Sequence, residues 1–320
     1  MSAATAGPQP PGPSAGRSPG DPLVGPRAFA TAATGPALAR ITGFADQTAL
    51  TRELEELAFR GWSALRTERV DGWVLRDSAG ATRRGNSVWP HDDVADLPAA
   101  LARVDRFYAR AGRPAIVQLS PASRPGGLRT ALDAAGYAPE QGPTDVCVAD
   151  LAGVLAGAAG LAERAAPPAD LRRSPVRVEV ADTPDDRWLD VCAAGGMSMF
   201  SRHRAASVAV LDRIRTPAVY VTATLDGAPV GAGRGVADGA WFGIYSMATL
   251  PAARGRGAAT AVIAALAGWA AGAGASRAFL QVEQQSTAAR RIYAALGFLP
   301  VYRYTYRQKA DTGPAAVGTP

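Results

Sequence analysis

The chain has 320 residues, which is enough for two ordinary domains with their own cores. Hydrophobic residues make up 48% of the chain and charged residues 19%, so most of it is expected to fold. It contains two cysteines and two histidines, Cys147, Cys192, His91 and His203. These numbers exclude a disulfide framework and argue against a multi-histidine metal site, so we expect a cytoplasmic protein that needs no metal.

The formal net charge is +6, which alone would be compatible with nucleic-acid binding. The arginines are dispersed, however, and neither a lysine/arginine run nor a basic patch with interleaved aromatic residues occurs. Solvated arginines or a pocket for an anionic cofactor explain the charge better. Residues 258–276 carry no charge, but they are mostly Ala and Gly and predict a buried helix of a soluble protein, not a membrane span.

Composition divides the chain into segments. Residues 1–44 and 310–320 are rich in Pro, Gly and Ala, have almost no large apolar residues, and are predicted to be disordered. Residues 152–175 are small, then Pro-containing, then charged, which predicts a linker; an Ala-rich helix within it is left open. Two folded regions, residues 45–151 and 176–309, remain.

The first folded region begins with apolar residues at helical spacing from Leu50 to Leu65. Gly72–Arg76 then predicts a strand and residues 77–80 a turn. The remaining elements expected in this region are a strand at 81–89, a helix at 97–111, a strand at 115–119, a helix at 128–135 and a strand at 144–151.

The second folded region opens with an alternating strand at 176–180. Asp226-Gly227 and Asp238-Gly239 predict two hairpin turns. The other expected elements are helices at 184–194 and 205–214, strands at 218–225, 230–236 and 241–249, a helix at 257–271, a strand at 277–283, a helix at 287–296 and a strand at 301–307. This order predicts an α/β protein with a mixed sheet.

A first chemical signal, Arg254-Gly-Arg-Gly-Ala-Ala259, lies between a predicted strand and a helix. Glycines let the backbone approach a phosphate, and the amide groups at a helix N-terminus hold the anion. The segment lacks the Lys-Ser/Thr of a P-loop and the third glycine of a dinucleotide fingerprint. Taken alone, it could also be an arginine/glycine turn without a ligand.

A second signal is the segment Ser286–Phe298, which predicts a helix that ends at Gly297. One face of this helix carries Ala289, Ile292, Tyr293 and Leu296. Without further context, Tyr293 could be a core aromatic residue whose hydroxyl has no role.

In this order, the two segments resemble the GNAT superfamily of N-acetyltransferases. The first is similar to the pattern Gln/Arg-x-x-Gly-x-Gly/Ala through Arg254, Gly257 and Ala259. The second is similar to Asn-x-x-Ala-x-x-Leu-Tyr-x-x-x-Gly-Phe, with Ile292 in place of Leu and Ser286 in place of Asn. The resemblance covers about residues 176–308.

The resemblance implies the GNAT acyl-CoA N-acyltransferase fold, with acetyl-CoA between strands 241–249 and 277–283. The pyrophosphate would bind the loop and the start of the next helix, and Ser286 would hydrogen-bond the cofactor. Pantetheine would pair with the strand at Met247, Ala248 and Thr249, and the Met247 N–H would polarise the thioester carbonyl. The implied loop residues are Arg254, Gly255, Arg256, Gly257, Ala258 and Ala259.

The implied reaction is direct attack of a small-molecule or peptide amine on acetyl-CoA. Tyr293 would protonate the departing thiolate. Strand 241–249 carries no carboxylate, so Glu283 is the candidate base, although it also fits an exposed strand-end carboxylate. Cys192 is interpreted as a buried core thiol. A non-catalytic acyl-CoA-binding or regulatory module is the alternative function.

The first folded region contains a weak echo of the second. Its strand, helix and Gly136-Tyr137 follow the order of the C-terminal segment, but Leu132 stands where Tyr293 stands. Acidic residues replace the phosphate loop, which indicates a degenerate GNAT-like domain. The acceptor site is expected to border Met197–Arg204, where Arg202, His203 and Arg204 either attract a carboxylate or form a solvated basic loop. No nucleic-acid or membrane partner is expected, and a homodimer is left open.

Overall fold

The computed structural model describes residues 35–165 and 174–310. The helices are α1 Pro36–Thr42, α2 Gln47–Gly61, α3 Leu97–Arg110, α4 Leu128–Ala134, α5 Leu151–Ala165, α6 Asp186–Ala194, α7 Ser198–Arg202, α8 Arg204–Leu211, α9 Ala258–Gly272 and α10 Thr287–Ala295. The strands are β1 Arg66–Val70, β2 Trp73–Asp77, β3 Val88–Pro90, β4 Ile116–Leu119, β5 Gln141–Asp150, β6 Arg177–Ala181, β7 Ala218–Leu225, β8 Ala228–Asp238, β9 Trp241–Thr249, β10 Arg277–Glu283 and β11 Leu299–Gln308.

All of these strands belong to one mixed sheet in the order β1-β2-β3-β4-β11-β5-β10-β9-β8-β7-β6. The two halves of the chain exchange their last strands in this sheet. Strand β5 of the first half pairs with β10 of the second, and β11 of the second half pairs with β4 of the first. The exchanged strands also pair with each other in the middle of the sheet. The halves are therefore joined by continuous backbone hydrogen bonding.

The two faces of the sheet are covered by different helices. Alternate residues of β10, such as Leu280, pack on one face with α5, α9 and α10. The intervening residue Phe279 packs on the opposite face, under α1 and α2. Gly233 of β8 permits close contact with α9, because a Cβ there would lie 2.5 Å from Val262 Cγ1.

The second half largely follows the sequence prediction. Asp226 and Gly227 form the first predicted turn, with φ angles of 54° and 80° and β7 and β8 on either side. The first half departs from the prediction in two places. Strand β1 was not predicted, and only Val88–Pro90 of the strand expected at 81–89 is extended. The loop before β3 contains a 3-10 helix and is held by Asn86, whose side-chain oxygen accepts from the amides of Ser78 and Gly80.

Helices occupy parts of two segments that composition marked as non-globular. Helix α1 lies within the segment expected to be disordered, and its Leu38 and Thr42 are buried, so that expectation is wrong there. Helix α5 covers most of the segment expected to be a linker. It packs closely because a Cβ at Gly157 would lie 3.2 Å from Leu296 Cα. Residues 1–34, 166–173 and 311–320 lie outside the described residues.

Two features are absent from residues 35–165 and 174–310. No helix there has both the length and the apolarity that a bilayer crossing needs. Within the same ranges, no group of three or more His, Cys, Asp or Glu side chains is arranged to hold a metal ion.

Candidate functional site

Strands β9 and β10 separate at their carboxyl ends. They pair in parallel from Trp241 and Arg277 to Ile244 and Leu280, and no pairing between them follows. Strand β9 nevertheless continues to Thr249 and β10 to Glu283. A gap with unpaired strand edges on both sides therefore opens at the place where the sequence predicted acetyl-CoA. Ligands of open α/β sheets bind at such carboxyl ends.

A β-bulge lies beside this gap. Ala232 of β8 pairs with Ala248 and Arg234 with Tyr245, so Ser246 and Met247 together face Gly233 alone. Ser246 has a positive φ of 50°. A bulge leaves a residue out of the regular ladder, and bulges are frequent next to active sites. The predicted hydrogen-bonding residue Met247 is thus in an irregular stretch of backbone at the gap.

The Arg/Gly segment forms an exposed loop that leads into α9. Gly257 caps the helix with a φ of 84°, and no side chain caps it. Among the described residues, the amides of Gly257, Ala258 and Ala259 donate to no protein acceptor. The family resemblance implied that the Arg256 amide also binds the pyrophosphate. In the structure, this amide instead donates to the Ala253 carbonyl at 3.3 Å. The loop therefore offers an unused set of amide donors at the positive end of a helix.

The side chains of this loop leave the backbone open. A Cβ at Gly257 would meet nothing within 4 Å, so the space above the amides is free. Arg254 is exposed. The guanidinium of Arg256 lies 3.6 Å from the Asp226 carboxylate in the β7–β8 turn. Both arginines therefore lie on the solvent side, beside a backbone that an anion can approach.

Tyr293 lies on α10, on the same face of the sheet as α9. It is 7% exposed and belongs to the core cluster that includes Leu280. Burial raises the pKa of the Tyr293 phenol above its usual value, with a smaller contribution from Cys147. The ring packs edge-on against Phe298 at 5.9 Å. Tyr293 is thus a phenol that keeps its proton at neutral pH. Ser286 precedes α10 and makes no side-chain capping bond there.

Glu283 is the last residue of β10 and is exposed. Its carboxylate accepts a hydrogen bond from Gln285 Nε2 at 2.6 Å. Strand alternation puts Glu283 on the face of Phe279, opposite the face that carries Tyr293. The candidate base and the candidate acid therefore lie on opposite sides of the gap. The exposed carboxylate is open to water, as the alternative reading of the sequence also expected.

Sequence reasoning did not identify Arg234, which is fully buried on β8. It is the cross-strand partner of Tyr245, and its guanidinium carbon lies 4.5 Å from the centre of the Tyr245 ring. Its Nη2 donates to the Gly61 carbonyl at 2.7 Å, whereas Nε and Nη1 have no partner. A single arginine within the predicted strand Gly231-Ala-Gly-Arg-Gly235 was the available signal.

The basic loop that was expected to border the acceptor site is partly neutralised. Arg204 forms ion pairs with Asp186 and Asp190 at 2.8 and 2.7 Å. Arg202 is exposed at the end of α7. This arrangement supports the solvated-loop alternative for the segment. Cys192 and Cys147 are both fully buried, as expected for Cys192.

The chain is similar in sequence to known acetyltransferases. The profile of the family described as "Probable histone acetyltransferase Rv0428c C-terminal" matches residues 48–307. The chain is 30% identical over 270 residues to a Bacillus subtilis protein named "Uncharacterized N-acetyltransferase YobR", with 81% of this chain and 98% of that protein covered.

Solved structures show a similar fold. A GCN5-related N-acetyltransferase from Kribbella flavida has a TM-score of 0.54 at 17% identity, with 82% of this chain and 95% of that one covered. A tandem GNAT protein from the clavulanic acid biosynthesis pathway has a TM-score of 0.54 at 16% identity, with 84% and 94% covered. At these identities, the similarity concerns the fold.

Proposed function

The chain belongs to the GNAT N-acetyltransferase family, and we propose that it transfers the acetyl group of acetyl-CoA to a primary amine. The unused amides of Gly257, Ala258 and Ala259, next to the gap between β9 and β10, are the observation that carries this proposal. Such a loop binds the pyrophosphate, and the gap accommodates an extended chain beside β9. Direct attack within a ternary complex requires no acyl-enzyme nucleophile, which agrees with the burial of both cysteines.

Each residue then has a defined part in the transfer. The acceptor nitrogen forms a bond to the acetyl carbon as the carbon–sulfur bond breaks. The Met247 N–H at the bulge stabilises negative charge on the carbonyl oxygen. Tyr293 donates its phenolic proton to the leaving sulfur. Glu283 takes the proton of the amine through a water molecule. Arg254, Gly255 and Arg256 surround the bound phosphates, and Ser286 hydrogen-bonds the cofactor.

We assign this chemistry to residues 176–309 and treat residues 45–151 as a degenerate copy. The helix N-terminus equivalent to that of α9 is the start of α3. There the Asp96 side chain accepts a hydrogen bond from the Ala99 amide at 3.0 Å. The carboxylate caps the helix and repels phosphate. The first half thus lacks the features that support acetyl-CoA binding in the second.

The proposal is tested by titrating the purified protein with acetyl-CoA in a calorimeter and then measuring thiol release with amine acceptors. Saturable binding followed by amine-dependent thiol release supports the enzyme. Binding without thiol release from any amine would favour a non-catalytic acyl-CoA-binding module. Absence of binding by folded protein would contradict the proposal.

A further inference from the structure

A group of buried and half-buried polar side chains lies on the α2 face of the sheet, where the two halves of the chain meet. We call Arg84, Arg234, Trp62 and Tyr245 the arginine cluster. Arg234 and Tyr245 come from β8 and β9 of the second half, and Trp62 and Arg84 come from the first half. The guanidinium of Arg234 lies over both aromatic rings, 4.5 Å from the centre of Tyr245 and 5.6 Å from that of Trp62.

The cluster contains hydrogen-bonding atoms without partners. Five buried atoms have no hydrogen-bond partner within residues 35–165 and 174–310: Arg234 Nε and Nη1, Arg84 Nε, Trp62 Nε1 and the Tyr245 hydroxyl. The four nitrogen atoms can only donate, and the hydroxyl can donate as well. Buried donors in folded proteins nearly always have an acceptor. The missing acceptor is therefore something that brings several lone pairs into one place.

The charges of the cluster are also uncompensated. Neither Arg234 nor Arg84 forms an ion pair with any residue in the described ranges. The other groups near Arg234 are the Tyr220 hydroxyl, which interacts with the guanidinium, and Cys192. Burial raises the pKa of both groups, so neither carries a charge at neutral pH. Besides burial, the charge of the Asp238 carboxylate raises the pKa of Tyr245. This carboxylate is already paired with Arg60, with 2.6 Å between Arg60 Nε and Asp238 Oδ2.

Two further buried groups nearby, Arg76 and Glu55, form no ion pair with the cluster. Arg76 adds a further guanidinium, which is buried and bonded to Ser87 and Gln118. Burial raises the pKa of the neighbouring Glu55, although hydrogen bonds from Ser120 and Trp89 and the charge of Arg76 oppose the rise. An unpaired buried charge is strongly unfavourable. The region is therefore suited to an anion from outside the chain.

The cluster borders the gap in the sheet. Tyr245 directly follows Ile244, the last residue of β9 that pairs with β10. Gln281 likewise directly follows Leu280, the last residue of β10 that pairs with β9. The Tyr304 hydroxyl lies 3.5 Å from Arg84 Nη2 and 3.4 Å from the Gln281 side-chain oxygen. The cluster thus lies on the face of the gap opposite Tyr293. An acceptor reaching the thioester from this face would pass it.

We propose that the acceptor is an amine that also carries a carboxylate, and that Arg234 and Arg84 bind this carboxylate with the Tyr245 hydroxyl. This inference rests on the proposed acetyltransferase function and adds the substrate class. The donors of a guanidinium match the oxygens of a carboxylate, and two such cations offset its charge. The role of the first half follows, because Arg84 and Trp62 complete a site whose reaction takes place in the second.

The test compares matched amines in the thiol-release assay with the full chain and acetyl-CoA. The pairs are L-alanine with L-alaninamide, 4-aminobutyrate with 4-aminobutyramide, and O-phosphoethanolamine with ethanolamine. We expect at least one carboxylate to have a kcat/KM about 10- to 100-fold above that of its amide, the factor for charge-assisted hydrogen bonds. The weaker basicity of α-amino amides leaves more free amine and therefore works against the expected preference.

Variants connect the preference to the cluster. Arg234→Gln and Arg84→Gln should lower the ratio of kcat/KM for the carboxylate to that for its amide about 10-fold or more, so that the ratio falls towards one. Arg103→Gln, at an exposed arginine paired with Glu68 on the far side of the first half, should keep the ratio. Tyr245→Phe keeps the ring against Arg234 and should reduce the ratio several-fold. This variant decides the matter if Arg234→Gln does not fold.

Several outcomes would overturn the inference. Equal kcat/KM values for acids and their amides would overturn it. A carboxylate-to-amide ratio of kcat/KM that is unchanged by the Arg84 and Tyr245 substitutions would also overturn it, since the cluster would then be structural. A higher kcat/KM for O-phosphoethanolamine than for every carboxylate would show that the acceptor carries a phosphate and not a carboxylate. If the protein binds acetyl-CoA and acetylates no carboxylate-bearing amine, the inference fails while cofactor binding stands. If acetyl-CoA does not bind, the proposed function itself fails.

Discussion

Leu280 of β10 pairs with Ile244 of β9, and this is the last parallel pair between the two strands. Beyond it, each strand has an unpaired edge, with the bulge at Met247 on one side and Gln281 on the other. The position of this last pair therefore determines where an extended ligand can enter the sheet.

Replacing Tyr293 by Phe should lower kcat about 100-fold, because the leaving thiolate loses its proton donor. The dissociation constant for acetyl-CoA should not change, since the ring still packs against Phe298. Steady-state kinetics and calorimetry measure the two quantities. Tyr137→Phe, a buried tyrosine of the first-half core, serves as the control and should retain activity. Equal kcat for Tyr293→Phe and wild type would remove the acid assignment.

Glu283→Gln should lower kcat/KM about 10-fold or more near neutral pH and less at high pH. The carboxylate takes a proton from the amine, and free amine becomes abundant as the pH rises. The pH–rate profiles of wild type and variant measure this difference. Gln285→Ala removes the hydrogen-bond donor of Glu283 and leaves the carboxylate, so it should retain the wild-type profile. Superimposable profiles for Glu283→Gln would show that the amine loses its proton elsewhere.

Glu55 should make the stability of the protein depend on pH. Burial raises its pKa in the folded state, whereas an unfolded glutamate titrates near 4.5. The folded state therefore binds the proton more tightly, and the free energy of unfolding falls as the pH rises above about 4.5 until the folded group has ionised. Glu55→Gln lacks this loss, so its free energy of unfolding should fall less than that of wild type between pH 5 and pH 8.

Urea unfolding at both pH values measures the Glu55 effect. Glu53→Gln changes a less buried carboxylate on the same helix and should follow the wild-type dependence. If Glu55→Gln and wild type lose stability in parallel, Glu55 is already ionised in the folded protein at the lower pH.

Both cysteines should be unreactive in the native protein. Cys147 and Cys192 are fully buried, and burial raises the pKa of each thiol. A disulfide exchange reagent at pH 7.5 should detect neither thiol before unfolding and both after it. Rapid modification of the folded protein would show that one of them reaches solvent. Unreactive cysteines also mean that thiol release in the activity assay reports CoA alone.

The parts of the fold that depend on local pattern could be predicted from the sequence. Asp226-Gly227 gave the hairpin turn because a positive φ is needed at both positions. The positions of Gly257 before α9 and of Tyr293 on α10 could be predicted from the two motifs. The exchange of β5 and β11 could not be predicted, because alternation within a strand says nothing about which half supplies its neighbour.

Composition favoured a linker where the structure has most of α5, although an Ala-rich helix was left open there. The small residues of α5, such as Gly157, resemble those of a linker and in fact permit close helix packing. Arg234 was missed because a single arginine in a strand has the same appearance whether its side chain is solvated or buried. Its burial depends on α2 of the other half, whose last residue, Gly61, accepts one of its hydrogen bonds. Contacts between distant parts of the chain are not encoded in local spacing.

The central claim is that the loop at Gly257 binds the phosphates of acetyl-CoA, and a charge substitution there tests it most directly. Gly257 has a φ of 84°, and a Cβ would meet nothing within 4 Å. Asn and Asp both tolerate this backbone conformation and have nearly the same size. They differ in charge, so a comparison of the two variants isolates the electrostatic effect at the helix N-terminus.

The measurement is calorimetric titration of wild type, Gly257→Asn and Gly257→Asp with acetyl-CoA. Gly239→Asp, at an exposed turn with a φ of 60°, serves as the control for a charge elsewhere. We expect wild type and the control to have the same dissociation constant for acetyl-CoA, and Gly257→Asn to bind several-fold more weakly. The dissociation constant of Gly257→Asp should be at least about 10-fold above that of Gly257→Asn. Equal dissociation constants for the Asn and Asp variants would contradict phosphate binding at this loop, and with it the proposed function.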